Sequence, residues 1–162
     1  MNLRDESSGD HEAIRQLHLA SFPGPGEAEL VDQLRADGDV IISLVAIEDG
    51  MLTGHIMLSR MAAPFRALGF GPVAVLRDWR RKGVAAALIQ EGIRRATFEG
   101  WQGIFVLGEP NYYRRFGFES KHADGFESPY AGRHFMGLPL ESDELPSRVG
   151  RLDYAPAFSA LD

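Results

Sequence analysis

The spacing of apolar positions changes between residues 73 and 98. Val73, Val75 and Leu76 fit a buried strand, whereas Val84, Leu88, Ile89, Ile93 and Ala96 recur along one helical face, so the pattern predicts strand, turn and long helix. Upstream, residues 1–4 predict a short strand and Ser7 to Asp10 a turn, with Asp10 capping a helix that turns Ala13, Ile14, Leu17 and Leu19 inward. This helix ends near Phe22, where Pro23-Gly24-Pro25-Gly26 breaks it, and Glu27 to Leu34 starts a second one with Leu30, Val31 and Leu34 inside. Val40 to Ile47 and Met51 to Met61 predict an antiparallel hairpin closed by Glu48-Asp49-Gly50. Residues 62–67 form a loop, and Leu68 to Pro72 lead into the central strand.

After the long helix, Glu99-Gly100 acts as a stop and Gly103 to Leu107 as a buried strand, which implies a right-handed crossover to a parallel neighbour. Gly108 to Asn111 start a short helix carrying Tyr112 and Tyr113 and ending at Gly117; Phe118 to His122 then predict another strand. In the last forty residues, His134 to Leu140 reads as a strand and Gly150 to Tyr154 as an edge strand. Parallel and antiparallel strands around one long helix and a helix pair predict an α/β (α+β) fold with a central twisted mixed sheet, in one layered domain over residues 1–162.

At 162 residues and 44% hydrophobic, the chain can bury its own core. Its formal charge of −6 argues against nucleic-acid binding and favours cationic partners. The absence of cysteine excludes disulfides, thiolate metal sites and a cysteine nucleophile. The first residues lack the apolar core of a signal peptide, and no stretch reaches the roughly twenty apolar residues of a membrane span, so a cytoplasmic protein without membrane contact is expected. A homodimer stays open. The five histidines show no ligand spacing: His11-Glu12 would need a second histidine at position 15, which is Arg15, and no metal is expected. Nucleophile-elbow and phosphate-loop motifs of hydrolases and nucleotide triphosphatases are missing. Gly69-x-Gly71-x-x-Ala74 imitates a dinucleotide fingerprint, but it enters a strand and contains Pro72, so that reading fails.

The turn before the long helix, Arg80-Arg81-Lys82-Gly83-Val84-Ala85, carries the chemistry. Three cations at a helix N-terminus oppose the helix dipole unless an anion joins them, and the free backbone N–H groups there favour phosphate. Arg80-x-x-Gly83-x-Ala85 resembles the Arg/Gln-x-x-Gly-x-Gly/Ala signature of the GNAT superfamily of N-acetyltransferases, and Tyr113-x-x-x-Gly117-Phe118 is similar to that family's Tyr-x-x-x-Gly-Phe element. Ala85 stands where many members have glycine and Arg77 where many have proline; neither change removes a backbone donor. The resemblance covers residues 1 to about 120 and implies a GNAT-like sheet flanked by helices, with acetyl-coenzyme A as co-substrate. It implies cofactor contacts at Arg80, Arg81, Lys82, Gly83, Val84, Ala85 and Asn111, with backbone N–H groups of the Val73 to Val75 strand polarising the thioester carbonyl.

Acetyl transfer needs a neutral amine, a polarised carbonyl and a proton for the departing thiolate. By the resemblance, Tyr113 is the proton donor, with Tyr112 as fallback. Glu109 is the candidate base, although it could equally start the helix that follows; His55 is a further titratable candidate. Phe22, Glu27 and Glu29, beside the Pro/Gly hinge, are acceptor-contact candidates by resemblance, and the two acids also suit an ordinary helix start. The expected activity is N-acetylation of a primary amine of a small molecule or protein by direct attack. The alternative is an acyl-coenzyme A binding or sensing module without turnover.

Overall fold

Alternation along the strands divides the core between two faces of one sheet. The computed structural model describes residues 1–161 and begins with β1 (Asn2–Asp5), followed by α1 (His11–Ser21), α2 (Gly26–Asp37), β2 (Val40–Glu48), β3 (Met51–Arg60) and β4 (Ala67–Val75). Then come α3 (Val84–Phe98), β5 (Gly103–Leu107), α4 (Pro110–Tyr113), β6 (Phe126–Glu127), β7 (Phe135–Pro139) and β8 (Gly150–Arg151). Six strands form a sheet in the order β1-β2-β3-β4-β5-β7, antiparallel at every step except β4–β5. On one face Val84, Leu88, Ile89 and Ala96 of α3 cluster with Leu44, Ile56 and Leu58; on the other, Ile14 of α1 and Leu30, Val31 and Leu34 of α2 cluster with Val45 and Met57. Ile56 and Met57 thus serve opposite layers, as the two-residue period of a strand requires. Among the described residues no helix is long and apolar enough to cross a membrane.

Three expectations are corrected. Phe118 to His122 is not a strand: Glu119 makes one bridge to Gly137, and Ser120–His122 is a 3-10 turn. The predicted edge strand shrinks to Gly150–Arg151, which pairs in parallel with β6 outside the main sheet. Asp10 does not cap α1 with its side chain; its carboxylate accepts the Ser7 N–H at 2.7 Å and an Arg4 guanidinium bond at 2.7 Å, closing the turn before the helix.

The central strand is longer than the loop-like Leu68 to Pro72 suggests, and it is bent. Between the pairs Ile56–Val73 and Leu58–Phe70, β4 spends one residue more than β3, a bulge that includes Gly71 and Pro72. Pro72 has no N–H to offer a neighbour. β4 pairs with β5 only over Ala67–Gly69, while β5 continues beside β7 as far as Leu107. Beyond Gly69 the two central strands part, leaving a wedge between β4 and the end of β5.

Candidate active site

Three adjoining hollows follow this wedge. The first, of about 410 Å³, is walled by Arg80, Arg81, Gly83, Val84, Ala85, Trp79, Tyr112 and Arg115. The second shares Val75, Arg80, Ala85 and Tyr112 with it and adds Ser21, Phe22, Val73 and Ala74. The third, of about 220 Å³, shares Phe22 and Val73 and reaches Glu27, Leu30, Phe70, Tyr113, Phe158 and Leu161.

At the first hollow Gly83 takes φ +84° ahead of α3, a conformation that suits glycine, and nothing lies within 4 Å of where its Cβ would be. The first turn of α3 carries no acid, so no carboxylate of its own answers the positive helix end. Arg80 folds back to donate Nε–H to the Val75 carbonyl at 3.1 Å, and Lys82 lies 5.1 Å from the Trp79 ring centre. Lys82 is not among the residues walling this hollow, but Arg115 is, with its guanidinium 4.6 Å from the Tyr112 ring centre. Arg115 was not singled out by the turn motif. It is brought in by the short helical segment after α4.

In the middle of the wedge the strand backbone supplies the polar groups. Leu76 N–H bonds the Thr53 carbonyl at 2.8 Å, so alternation turns the N–H groups of Val73 and Val75 away from β3, towards the wedge. Tyr113 closes the far side. Its ring meets Phe70, Phe118 and Tyr112 edge-on. It comes so close to Gly108 that a Cβ there would sit 2.5 Å from a ring carbon. Burial, helped by neighbouring Tyr112, pushes the Tyr113 hydroxyl up to about 12, so the phenol keeps its proton across the neutral range.

The helix pair supplies the third hollow. The Pro/Gly hinge between α1 and α2 places Phe22 and Glu27 on the same cavity wall. Glu27 is its one carboxylate among the described residues, on a wall otherwise built from Leu30, Phe70, Pro72, Val106, Leu107, Phe158 and Leu161 with Tyr113. Phe158 and Leu161 belong to a 3-10 segment, Pro156–Leu161, that shows no apolar period in sequence. Glu29 points instead into a separate hollow between α2 and that segment. Glu109 precedes α4, stays exposed, lies 3.8 Å from His134 and lines none of the three hollows; exposed Asn111 does not line them either. His55 is buried on β3 behind the helix pair.

A hollow of about 500 Å³ lies elsewhere, among Lys121, His122, Glu144 and Arg148. Arg148 and Glu144 pair with each other there, so its charges are largely answered internally. Among the described residues no group of three or more metal-ligating side chains is placed to hold an ion.

Comparison with known proteins agrees with this geometry. The family model described as an acetyltransferase (GNAT) domain matches residues 39–120. N-acetyltransferase YhbS of Escherichia coli strain K12 is 31% identical over 98% of this chain and 99% of its own. A crystal structure of the Escherichia coli GNAT family N-acetyltransferase YhbS in complex with CoA superposes with a TM-score of 0.91 at 30% identity, covering 98% of this chain and 91% of that one. A GNAT family acetyltransferase from Brucella melitensis in complex with acetyl-CoA gives a TM-score of 0.80 at 34% identity over 97% of each chain.

Proposed function

The chain belongs to the GNAT acetyltransferase family, and from that premise we propose that it transfers an acetyl group from acetyl-coenzyme A to the primary amine of a small, largely apolar molecule by direct attack. One observation carries the reading: a continuous wedge joins a cationic helix start to Tyr113 and, beyond it, to a small apolar hollow holding a single carboxylate among the described residues.

The residues present fit acetyl-coenzyme A. Arg80, Arg81 and Arg115, with the N–H groups of the first turn of α3, would hold its phosphates, and Val75 and Ala85 would flank the chain leading from them. Lys82 and Asn111, which stand outside the hollow wall, would meet only the outer parts of so long a molecule. The co-substrate supplies an activated acyl group and a thiolate that needs a proton on leaving. The Val73 and Val75 N–H groups would receive the carbonyl oxygen, and the hydroxyl of Tyr113, held protonated by burial, would donate to the thiolate. Glu27 would hold the acceptor's ammonium group beside the apolar wall that receives its body. Glu109, outside the hollow, serves the start of α4: its carbonyl accepts the Tyr112 and Tyr113 N–H groups at 3.0 and 3.1 Å. We therefore do not place the base there.

Thermal melting with two ligands tests this. Acetyl-coenzyme A at about a hundred times its Kd should stabilise by about 2.7 kcal/mol, a rise of several degrees. Acetyl-pantetheine, lacking the phosphates, should shift the midpoint much less. Equal shifts, or none, would mean that the helix start is not a pyrophosphate site.

A further inference from the structure

Behind the acceptor wall, His18 of α1 and His55 of β3 are both fully buried and joined by a 2.9 Å bond from Nε2 to Nδ1. His55 Nε2 lies 2.8 Å from the Ser43 hydroxyl and 3.5 Å from Glu6, and Ser43 in turn bonds Glu6. Arg35 of α2 holds Glu6 with bonds of 2.9 and 3.2 Å. These contacts determine every proton. A carboxylate held by arginine only accepts, so Ser43 donates to it and must itself accept from His55 Nε2–H. His55 Nδ1 is then a lone pair that accepts from His18 Nε2–H. His18 Nδ1 is left as a lone pair, and it is buried without a partner among the described residues.

The His18 ring is separated from the wedge by the residues that line it. The His18 ring stacks on Phe22 with centroids 5.9 Å apart, and Ala74, the cross-strand partner of His55, lines the middle hollow with Ser21 and Phe22. The other end of the chain reaches the surface, where Glu6 lies 3.0 Å from His11, whose side chain is 46% exposed.

Resting on the acetyl-transfer reading above, we propose that His18, His55, Ser43 and Glu6 relay the proton lost by the bound ammonium group from the acceptor hollow to the surface at His11. The N–H bond of the ammonium breaks, its electron pair stays on nitrogen for attack, and the proton reaches His18 Nδ1 through a water beside Phe22. In concert His18 Nε2–H passes to His55, His55 Nε2–H to Ser43, and the serine proton to Glu6 and out; rotation of the rings restores the starting tautomers between turnovers. The charged and titratable groups facing the pair are Glu6 and Asp10 ahead of α1, His11 on it and Arg35 from α2. Burial, then the neighbouring His55 and Arg35, pushes His18 down to about 3, so neither storage of the proton nor a resting imidazolium is expected at neutral pH.

Nitrogen-15 NMR of the imidazoles and amine kinetics test this together. At pH 7 both rings should be neutral with the proton on Nε2. His55→Gln should retain the fold and acetyl-coenzyme A affinity, while lowering kcat about a hundredfold at neutral pH. That deficit should shrink as pH approaches the acceptor's own pKa, and the normal solvent isotope effect on kcat should change with it. A proton on His18 Nδ1, or a deficit equal at all pH values, would overturn the relay and leave the acetyltransferase reading standing. If no amine in a broad panel is acetylated, the transfer reaction itself fails and the relay with it.

Discussion

Tyr113 owes its place to a neighbour without a side chain. Because a Cβ on Gly108 would sit 2.5 Å from the tyrosine ring, Gly108→Ala should push the hydroxyl out of line and reduce kcat at least tenfold, with acetyl-coenzyme A affinity unchanged by titration calorimetry. Tyr113→Phe keeps the ring and removes the donor; kcat should fall about ten- to a thousandfold without loss of cofactor affinity, and full activity in steady-state kinetics would transfer the donor role to Tyr112 or water. His18 makes a separate prediction for stability. Its folded pKa, about 3, lies below the ordinary value of 6.5, so its contribution is complete above pH 6.5 and is lost as pH falls towards 3. Glu6 is also held low: burial opposes this, but nearby His55 and the bonds from Arg35 and Ser43 outweigh it, and its contribution is lost only below the usual 4.5. In thermal melts across this range, His18→Gln should shrink the decline below pH 6.5 without removing it, because burial also holds His55 low and Glu6 adds its own loss below 4.5.

At the scale of elements, the start of α3 is the part whose chemistry can be isolated most cleanly. Arg115 adds a cation to the hollow from a different segment and makes no ion pair in return among the described residues, so Arg115→Ala should weaken acetyl-coenzyme A binding about tenfold while leaving acetyl-pantetheine binding and the melting temperature nearly unchanged. The turn from Arg80 to Ala85 and the helix after it were legible in sequence because the apolar period changes there from two to 3.6 and cations stand where a dipole disfavours them. Arg115 was less legible, since it reaches the same hollow only because the fold sets the segment after α4 beside the start of α3. The bulge in β4 was invisible to periodicity: Gly69, Gly71 and Pro72 look like loop residues, yet the strand runs through them and uses the irregularity to leave β5. Phe118 to His122 was misread for the converse reason, as a strand-like composition is met by one bridge at Glu119 before the chain turns. The His18–His55 chain joins residues 37 apart in sequence, and nothing in their spacing announces it.

Across the whole molecule, the sheet separates two tasks. One face carries α3 with its cationic start, the other carries α1 and α2, and the wedge where β4 leaves β5 lets the two meet. The proposed acceptor end needs parts from four places in the chain, including Phe158 and Leu161, so the small apolar hollow exists only in the folded protein. Its one carboxylate among the described residues, in a chain of net charge −6, sets the expected preference for amines that are cationic in solution and carry no acid of their own. The most direct measurement is thiol release from acetyl-coenzyme A with matched primary amines, apolar, polar and carboxylate-bearing, using the wild type and Glu27→Gln. Apolar amines should react fastest, with Glu27→Gln raising KM more than it lowers kcat. Fastest reaction with the carboxylate-bearing amines, or acetyl-coenzyme A binding with no thiol release from any amine, would contradict the account.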